Sequence, residues 1–261
     1  MLELSDWLMA VVNRAFVGRS FLIDTLVALP LRNELIKAVP VLACFIAAWH
    51  AGAVRERLCR RQTLLVTLMA AVLATGLSRL VSASNALPRP YAFQQQVYRL
   101  ESSGVVPQHV RDLRVPRDNA SQLRAERLAE ADIPPNDFGS FPSDHAALYF
   151  TIASGIFLAS RFAGSLAIAW TAAAILLPRV WTGMHSPLDI LGGCLLGAAA
   201  LAAGMSIQRT RFSGFLRRTT HWTLRHEGTA SALLFVFLFE AGVTFDHGVE
   251  LVRGIARHLP H

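Results

Sequence analysis

The sequence predicts an all-α membrane protein, a polytopic bundle of about six transmembrane helices. Three observations lead to that class: hydrophobic residues make up 53% of the 261 residues, charged residues make up only 16%, and the apolar residues come in long blocks. The blocks lack the period-two alternation of barrel strands, and an open sheet could not cross lipid with its edges unpaired. We therefore expect every span to be a helix.

Six apolar blocks are each near the length that a helix needs to cross about 30 Å of hydrocarbon. They are residues 35–54, 63–83, 145–162, 164–181, 187–207 and 229–245. The first five form a predicted transmembrane core, residues 35–207, with a long polar loop inserted at 84–142. The last block belongs to a C-terminal segment, residues 208–261, in which a basic stretch precedes an extra helix.

The N-terminal segment, residues 1–34, is apolar but interrupted by Asn13, Arg14, Arg19 and Asp24. A spanning helix would carry its charged residues close to the middle of the bilayer, at about 2.5–3.5 kcal/mol each. The sequence therefore favours an amphipathic helix in the membrane interface over a further span.

Arginines predict the orientation of the bundle. Arg55, Arg57, Arg60 and Arg61 lie between the first two blocks, Arg161 ends the third, and five more arginines lie within 209–225. Because basic residues favour the cytoplasmic side, these turns should face the cytoplasm. The loop 84–142 and the turn 184–187 then lie on the outer face.

The net charge of +7 is largely accounted for by these basic turns. Such turns are attracted to anionic lipid headgroups, so the charge predicts membrane lipids as partners and no nucleic acid. The oligomeric state is left open by the sequence.

Two polar motifs lie where apolar blocks meet the outer face. The first runs from Phe141 to His145, and the second runs from Arg179 to Asp189. Ser143 is placed as the N-cap of one helix and Ser186 as the N-cap of another, with Pro187 at its first position. The amides of Asp144 and His145 would then be free to bind an anion at the helix start.

The residue types in these motifs predict phosphate chemistry. Asp189 can reach back to His185, and a carboxylate that accepts from one ring nitrogen leaves the other with a lone pair for nucleophilic attack. Arg179 and Arg89 are suited to phosphate because the guanidinium donates paired hydrogen bonds and stays charged. Arg79 is a third candidate, although its side chain could also simply reach the interface.

These motifs resemble those of the type 2 phosphatidic acid phosphatase superfamily over residues of roughly 63–207. The Pro-Ser-Gly-His motif of that family corresponds to Pro142-Ser143-Asp144-His145. Its Ser-Arg-x5-His-x3-Asp motif corresponds to Pro178-Arg179, His185 and Asp189. Its Lys-x6-Arg-Pro motif is half present, since Arg89-Pro90 matches while Ser82 holds the lysine position.

The resemblance implies a membrane lipid phosphatase with no metal or other cofactor. It implies that His185 attacks phosphorus, that Asp189 orients it, and that His145 protonates the departing oxygen. Arg89, Arg179 and Ser143, with backbone amides nearby, would hold the phosphate oxygens of a lipid substrate.

Three positions depart from the family pattern. Ser82 removes one positive charge, which Arg79, one helical turn earlier, could replace. Pro178 removes a hydroxyl donor. Asp144 adds a carboxylate beside the phosphate site, which should weaken dianion binding unless that carboxylate is paired or points away. Variants with aspartate at this position are similar to bacterial undecaprenyl pyrophosphate phosphatases, which favours that lipid as substrate.

Other functions fit the same residues. Phosphatidic acid, phosphatidylglycerophosphate and lipid A are alternative substrates, and a phosphotransferase would pass the phosphoryl group to a lipid or sugar hydroxyl. A non-catalytic lipid-binding membrane protein is an alternative of another class, favoured by the altered Lys-x6-Arg-Pro motif. Metal-dependent hydrolysis is disfavoured, because the histidines lack tight ligand spacing and additional carboxylates.

Overall fold

The fold is a helical bundle with one small β-hairpin. The computed structural model describes residues 20–84, 89, 97–101, 104–108, 139–208, 213–242 and 244, together with 4, 7–9 and 11. In these ranges the helices are α1 (Phe21–Arg32), α2 (Glu34–His50), α3 (Val54–Ser84), α4 (Asp144–Ala159), α5 (Arg161–Trp181), α6 (Pro187–Ile207), α7 (Ser213–Arg225) and α8 (Glu227–Gly242). The helical class predicted from the sequence is therefore confirmed.

Three of these helices are long and apolar enough to cross a membrane by length and composition. They are α3 with 31 residues and α5 and α6 with 21 residues each. Helix α4 is a shorter apolar helix of 16 residues. The other predicted spans correspond to α2, with 17 residues, and α8, with 16.

Helices α3, α4 and α6 pack on one another at the centre of the bundle. Small residues allow this close approach: a Cβ added to Gly155 of α4 would lie 2.0 Å from the Thr67 hydroxyl of α3. A Cβ on Gly193 of α6 would lie 2.3 Å from the carbonyl oxygen of Ser143. Glycines at such crossings bring helix backbones together, so the start of α4 lies against the start of α6.

Helix α2 packs against α5 around a proline. Pro40 lies inside α2 and has no N–H to offer the carbonyl of Ile36, four residues earlier. The indole N–H of Trp170 donates to that carbonyl at 3.1 Å. A buried backbone acceptor that proline would leave unpaired is therefore satisfied by a neighbouring helix.

The second half of α5 contains a wider turn. Residues Thr171–Leu176 form a π-helical segment, which is followed immediately by Leu177 and Pro178. Such wide turns often lie close to functional residues. Here the segment precedes Arg179, which lies near the end of the helix.

Helix α8 is fixed at both ends. At its start, Glu227 accepts hydrogen bonds from Arg57 at 3.1 Å and from the fully buried Arg61 at 3.0 Å. At its end, the carbonyl of Gly242 accepts from the Tyr149 hydroxyl of α4 at 2.8 Å. The C-terminal helix is thus part of the bundle and runs from the arginine-rich end of α3 to the end where α4 begins.

The predicted outer loop, residues 84–142, is described only in parts. Strands β1 (Val97–Glu101) and β2 (Gly104–Gln108) form an antiparallel hairpin, which the sequence did not predict. Part of the N-terminal segment 1–34, mainly residues 12–19, also lies outside the described residues. Helix α1 lies within this segment, and Asp24 of α1 accepts from the indole N–H of Trp181 at 2.8 Å.

Candidate active site

The two motifs come together at one end of the bundle through their helix starts. Ser143 is the N-cap of α4, and its side chain accepts from the amide of Ala146. Ser186 is the N-cap of α6, where it forms a capping box with Asp189, and Pro187 is the first helical residue. Both N-caps predicted from the sequence are confirmed. The amide of Ser143 also donates to the carbonyl of Asp189 at 3.0 Å, which joins the two motifs.

His185 lies in the turn between α5 and α6 and is 3% exposed. Its Nδ1 atom is 3.0 Å from the carbonyl oxygen of Ser140. Because a carbonyl oxygen can only accept, Nδ1 carries the hydrogen, and Nε2 of a neutral ring keeps its lone pair. This is the tautomer that a nucleophilic histidine needs.

Asp189 acts on this histidine differently from the sequence expectation. The distance from His185 Nδ1 to Asp189 Oδ2 is 3.8 Å, too long for a hydrogen bond. The Oδ2 atom accepts instead from the Ser186 amide at 2.7 Å and from the Ser140 hydroxyl. The carboxylate therefore holds Ser140, and the backbone of Ser140 holds the imidazole.

Sequence reasoning missed Ser140. It precedes the Phe141–His145 motif and is 2% exposed. No spacing rule marks it, because its contacts with His185 and Asp189 join residues more than 40 positions apart. Its position just ahead of a motif that ends in an N-cap was the only available signal.

The electrostatics around His185 keep its ring neutral. Burial lowers the pKa of the His185 imidazole below its ordinary value, and the nearby Asp189 carboxylate partly offsets that effect. The positive charges of Arg89 and Arg179 lower the pKa further. The site thus combines an uncharged ring with two fixed cations.

Both of these arginines retain unused donors. Arg179 is 3% exposed, and its Nη1 atom donates to the carbonyl of Ile175 at 2.8 Å. The buried Nε atoms of Arg179 and Arg89 have no hydrogen-bond partner within the described part of the chain. An unpaired buried N–H is costly, so these donors favour an anionic ligand that completes them.

Asp144 is paired, which answers the question raised by its departure from the family glycine. Its Oδ1 atom accepts from the amide of His145 at 2.7 Å and contacts Nδ1 of the same residue at 2.8 Å. Its Oδ2 atom lies 3.5 Å from Nε of Arg79. The Asp144 carboxylate therefore accepts from the His145 amide, which was expected to be free to bind an anion at the start of α4.

Arg79 and Thr244 complete the surroundings of His145. The Nη2 atom of Arg79 donates to the carbonyl of Thr244 at 2.7 Å. The Thr244 hydroxyl lies 3.1 Å from Nε2 of His145. Thr244 was missed by the sequence reasoning, because it lies inside the last predicted apolar block, 229–245, and 99 positions from its partner.

Ser82, at the position of the family lysine, helps to hold the Phe141–His145 motif in place. Its hydroxyl donates to the carbonyl of Gly139, and the Ser78 hydroxyl donates to the carbonyl of Pro142 at 2.9 Å. Gly139 has a φ of 84°, and a Cβ there would lie 2.7 Å from the Ser82 carbonyl oxygen. One face of α3 thus positions the 139–142 segment that holds His185.

Among the residues that the structure describes, no group of three or more His, Cys, Asp or Glu side chains is arranged to hold a metal ion.

The chain belongs to the PAP2 superfamily, whose family profile matches residues 63–213. This match includes α3 from residue 63 onward, the hairpin, α4, α5, α6 and every candidate site residue except Thr244. The family match and the three long apolar helices together define the chain as a membrane protein of this superfamily.

Two curated relatives are similar over shorter stretches. The chain is 47% identical over 58 residues to "Bacitracin transport permease protein BcrC" of Bacillus licheniformis, which covers 22% of this chain and 28% of that protein. It is 36% identical over 84 residues to "Putative undecaprenyl-diphosphatase YbjG" of Escherichia coli (strain K12), covering 32% of this chain and 42% of that protein. The chain thus matches less than half the length of either relative. No solved structure matches the chain with significance.

Proposed function

We propose that this protein is a metal-independent lipid phosphatase that forms a phosphohistidine at His185. The observation that carries the proposal is the hydrogen bond from His185 Nδ1 to the Ser140 carbonyl, 3.0 Å long. It leaves Nε2 as the only ring nitrogen with a lone pair. The positive charges of Arg89 and Arg179 act on the same ring, as expected for groups that hold a phosphate there.

The proposed reaction has two steps. In the first, Nε2 of His185 attacks phosphorus, the phosphorus–oxygen bond of the substrate breaks, and the departing oxygen takes the electron pair and a proton supplied by His145. In the second, water attacks phosphorus and gives a proton to His145, the phosphorus–nitrogen bond breaks with its electron pair returning to Nε2 of His185, and phosphate is released. Arg89 and Arg179 stabilise charge on the phosphoryl oxygens. Ser143, as the N-cap of α4, aligns the Phe141–His145 motif with the phosphoryl group.

Arg79 takes a modified place in this proposal. The sequence suggested that it replaces the lysine missing at Ser82 as a phosphate ligand. Its contacts with Asp144 and Thr244 favour a role in neutralising Asp144, so that this carboxylate repels the substrate less. Arg79 would then contribute positive charge to the phosphate site without donating hydrogen bonds directly to phosphate.

The membrane arrangement is the second part of the proposal. We infer that α2, α4 and α8 cross the bilayer together with α3, α5 and α6, giving six spans, while the N-terminal segment lies in the interface. The candidate site is at the opposite end of α3 from Arg57 and Arg61. With those arginines in the cytoplasm, the site faces the periplasm of a bacterial inner membrane.

Undecaprenyl pyrophosphate is the proposed substrate. Support comes from Asp144, which is similar to the residue at this position in bacterial undecaprenyl pyrophosphate phosphatases. The printed name of the Escherichia coli relative agrees with this choice. A lipid diphosphate presents its headgroup at the interface, where the helix starts of α4 and α6 meet.

Phosphate release by purified protein in detergent tests the proposal. Undecaprenyl pyrophosphate and phosphatidic acid are compared side by side in excess chelator, with His185→Ala as control. We expect release from the diphosphate, no release by His185→Ala, and a 32P label on wild-type protein that is stable to base and labile to acid. Activity that requires added metal would contradict the mechanism.

The same assay separates the alternatives. Faster phosphate release from phosphatidic acid would indicate that this lipid is the substrate and would leave the proposed mechanism unchanged. Labelled protein that releases phosphate only when a lipid or sugar hydroxyl is added would indicate a phosphotransferase. Neither label nor release with any lipid phosphate would favour a non-catalytic lipid-binding protein.

A further inference from the structure

Both ring nitrogens of His145 have partners. Nδ1 is 2.8 Å from Asp144 Oδ1, and Nε2 is 3.1 Å from the Thr244 hydroxyl. An ionised carboxylate can only accept, so Nδ1 carries a hydrogen in either protonation state of the ring. Nε2 is therefore the nitrogen that gains and loses a proton, and the atom in contact with it is the hydroxyl oxygen of Thr244.

Thr244 is firmly held in that position. It is 1% exposed, and its carbonyl accepts from Arg79 Nη2 at 2.7 Å. Two residues earlier, the carbonyl of Gly242 accepts from Tyr149, which is itself fully buried in α4. Displacing Thr244 from His145 would disturb both of these contacts.

The backbone of Thr244 is in an unfavourable conformation. Its φ is 58°, in the left-handed region that β-branched residues rarely adopt. A glycine would adopt this conformation without strain, so the requirement here is for the side chain. Strained positions of this kind are concentrated at functional sites.

The contacts form a closed ring of four residues. His145 contacts Asp144, Asp144 contacts Arg79 at 3.5 Å, Arg79 contacts the Thr244 carbonyl, and the Thr244 hydroxyl contacts His145. A hydroxyl group can both donate and accept. Thr244 can therefore accept a hydrogen bond from Nε2 of protonated His145 and donate one to Nε2 of the neutral ring. Thr244 also lies outside the family match at residues 63–213, so it is an addition to the site from the segment that follows α8.

We propose that the Thr244 hydroxyl relays the proton from His145 to the leaving oxygen, a step that rests on the function proposed above. Nε2 of protonated His145 gives its proton to the Thr244 oxygen while that hydroxyl gives its own hydrogen to the departing oxygen. The phosphorus–oxygen bond breaks in the same step. Thr244 ends as a hydroxyl, His145 ends neutral, and no further reactant is needed.

Thr244→Val tests the relay, because valine keeps the shape of threonine and lacks the hydroxyl. Thr244→Ser restores a hydroxyl. Thr220→Val is the matched control, since Thr220 is also buried and its hydroxyl donates only within α7, at the other end of the bundle. Each variant is assayed as full-length protein in detergent with a lipid phosphate and with p-nitrophenyl phosphate, whose leaving group needs little protonation.

We expect Thr244→Val to lower kcat on the lipid phosphate by about 10²-fold, the usual contribution of a general acid, with KM little changed. Thr244→Ser should recover most of the rate, and Thr220→Val should match wild type. With p-nitrophenyl phosphate, Thr244→Val should stay within about twofold of wild type, because that reaction does not depend on the acid.

Unchanged or faster turnover of the lipid phosphate by Thr244→Val would overturn the relay, and so would an equal loss on both substrates. If valine prevents folding, Thr244→Gly removes the hydroxyl and relieves the left-handed φ, and it is compared with Thr244→Ser in the same way. Release that persists in His185→Ala would instead refute the proposed function itself. The two failures are therefore distinguishable.

Discussion

The imidazole of His185 is held by the backbone of Ser140. Nδ1 of His185 lies 3.0 Å from the Ser140 carbonyl oxygen and 3.8 Å from the nearest oxygen of Asp189. The Ser140 side chain in turn donates to Asp189. His185 and Asp189 thus form a unit with Ser140, which lies between them and belongs to the segment before α4.

This arrangement predicts a measurable role for the Ser140 hydroxyl. Ser140→Ala removes the donor to Asp189 and loosens the carbonyl that orients His185. We expect kcat to fall by about 10- to 100-fold, the usual range for a residue that orients a site group, with KM little changed. Ser206→Ala is the control, because Ser206 is exposed and donates only within α6. Equal activity of the two variants would show that Ser140 does not orient the histidine.

The tautomer and charge of His185 can be read from nitrogen NMR of histidine-labelled protein in detergent, with the signal assigned by its loss in His185→Gln. We expect a hydrogen on Nδ1 and none on Nε2. Since burial lowers the pKa of His185, the ring should stay neutral as the pH falls past about 6.5 and gain its proton only below that.

The same shift has a consequence for stability. Below pH about 6.5 the unfolded chain takes up a proton that the folded His185 does not, so this group destabilises the fold progressively until its folded form also titrates. A signal that titrates at or above the ordinary value, or that carries hydrogen on Nε2, would contradict the proposed nucleophile.

Close packing of α4 on α6 predicts that Gly193 tolerates no side chain. A Cβ at Gly193 would lie 2.3 Å from the Ser143 carbonyl and 2.8 Å from the Cβ of Ala146. Gly193→Ala should therefore lower stability by about 1–3 kcal/mol, the cost of overpacking, and lower activity by separating the two motifs. Thermal unfolding in detergent measures the first effect. Gly76→Ala is the control, because its added Cβ meets no atom within 4 Å.

Restoring the family lysine should harm this protein. Ser82→Lys removes the hydroxyl that holds Gly139 and places a long side chain against the 139–142 segment. We expect kcat to fall at least about 10-fold, since displaced supporting groups cost activity of that order. Ser84→Lys adds the same charge at an exposed position and should have little effect. A gain in activity with Ser82→Lys would mean that the site lacks a cation there.

The unused donors of Arg179 predict that charge alone is insufficient at this position. Arg179→Lys keeps one positive charge but loses the planar fork, so kcat/KM should fall nearly as far as in Arg179→Ala, by about 10²-fold or more. Arg161→Lys, at the other end of α5, is the control. Wild-type activity in Arg179→Lys would exclude paired hydrogen bonding by this guanidinium.

Local features of the fold were predictable because they depend on neighbouring residues. The N-caps at Ser143 and Ser186 follow from a serine that precedes an apolar helix, and Pro187 marks the first turn of α6. The length of α6 follows from uninterrupted apolar residues. Helix α3 instead begins at Val54, nine residues before its predicted block, because the basic residues expected in a turn are helical. The hairpin at 97–108 was missed, because the polar loop around it carries no clear alternation.

The departures from the family motifs could be described from the sequence but not interpreted. The sequence indicated only that Ser82 lacks the charge of the family lysine. In the structure, its hydroxyl donates to the carbonyl of Gly139. Asp144 read as a source of repulsion, and the structure pairs it with His145 and Arg79. Both outcomes depend on which side chains face each other across helices, a relation that spacing along the chain does not specify.

The sequence by itself determined the helical membrane class, the family, and the side chains proposed to carry the chemistry: His185, His145, Asp189, Arg89 and Arg179. These follow from composition and from short motifs, in which the physical constraint acts between neighbours. Only the tertiary structure decided that Ser140 holds His185 and that Thr244 contacts His145. Those contacts join residues 45 and 99 positions apart, and they exist because the packing of α3, α4, α6 and α8 brings distant segments to one end of the bundle.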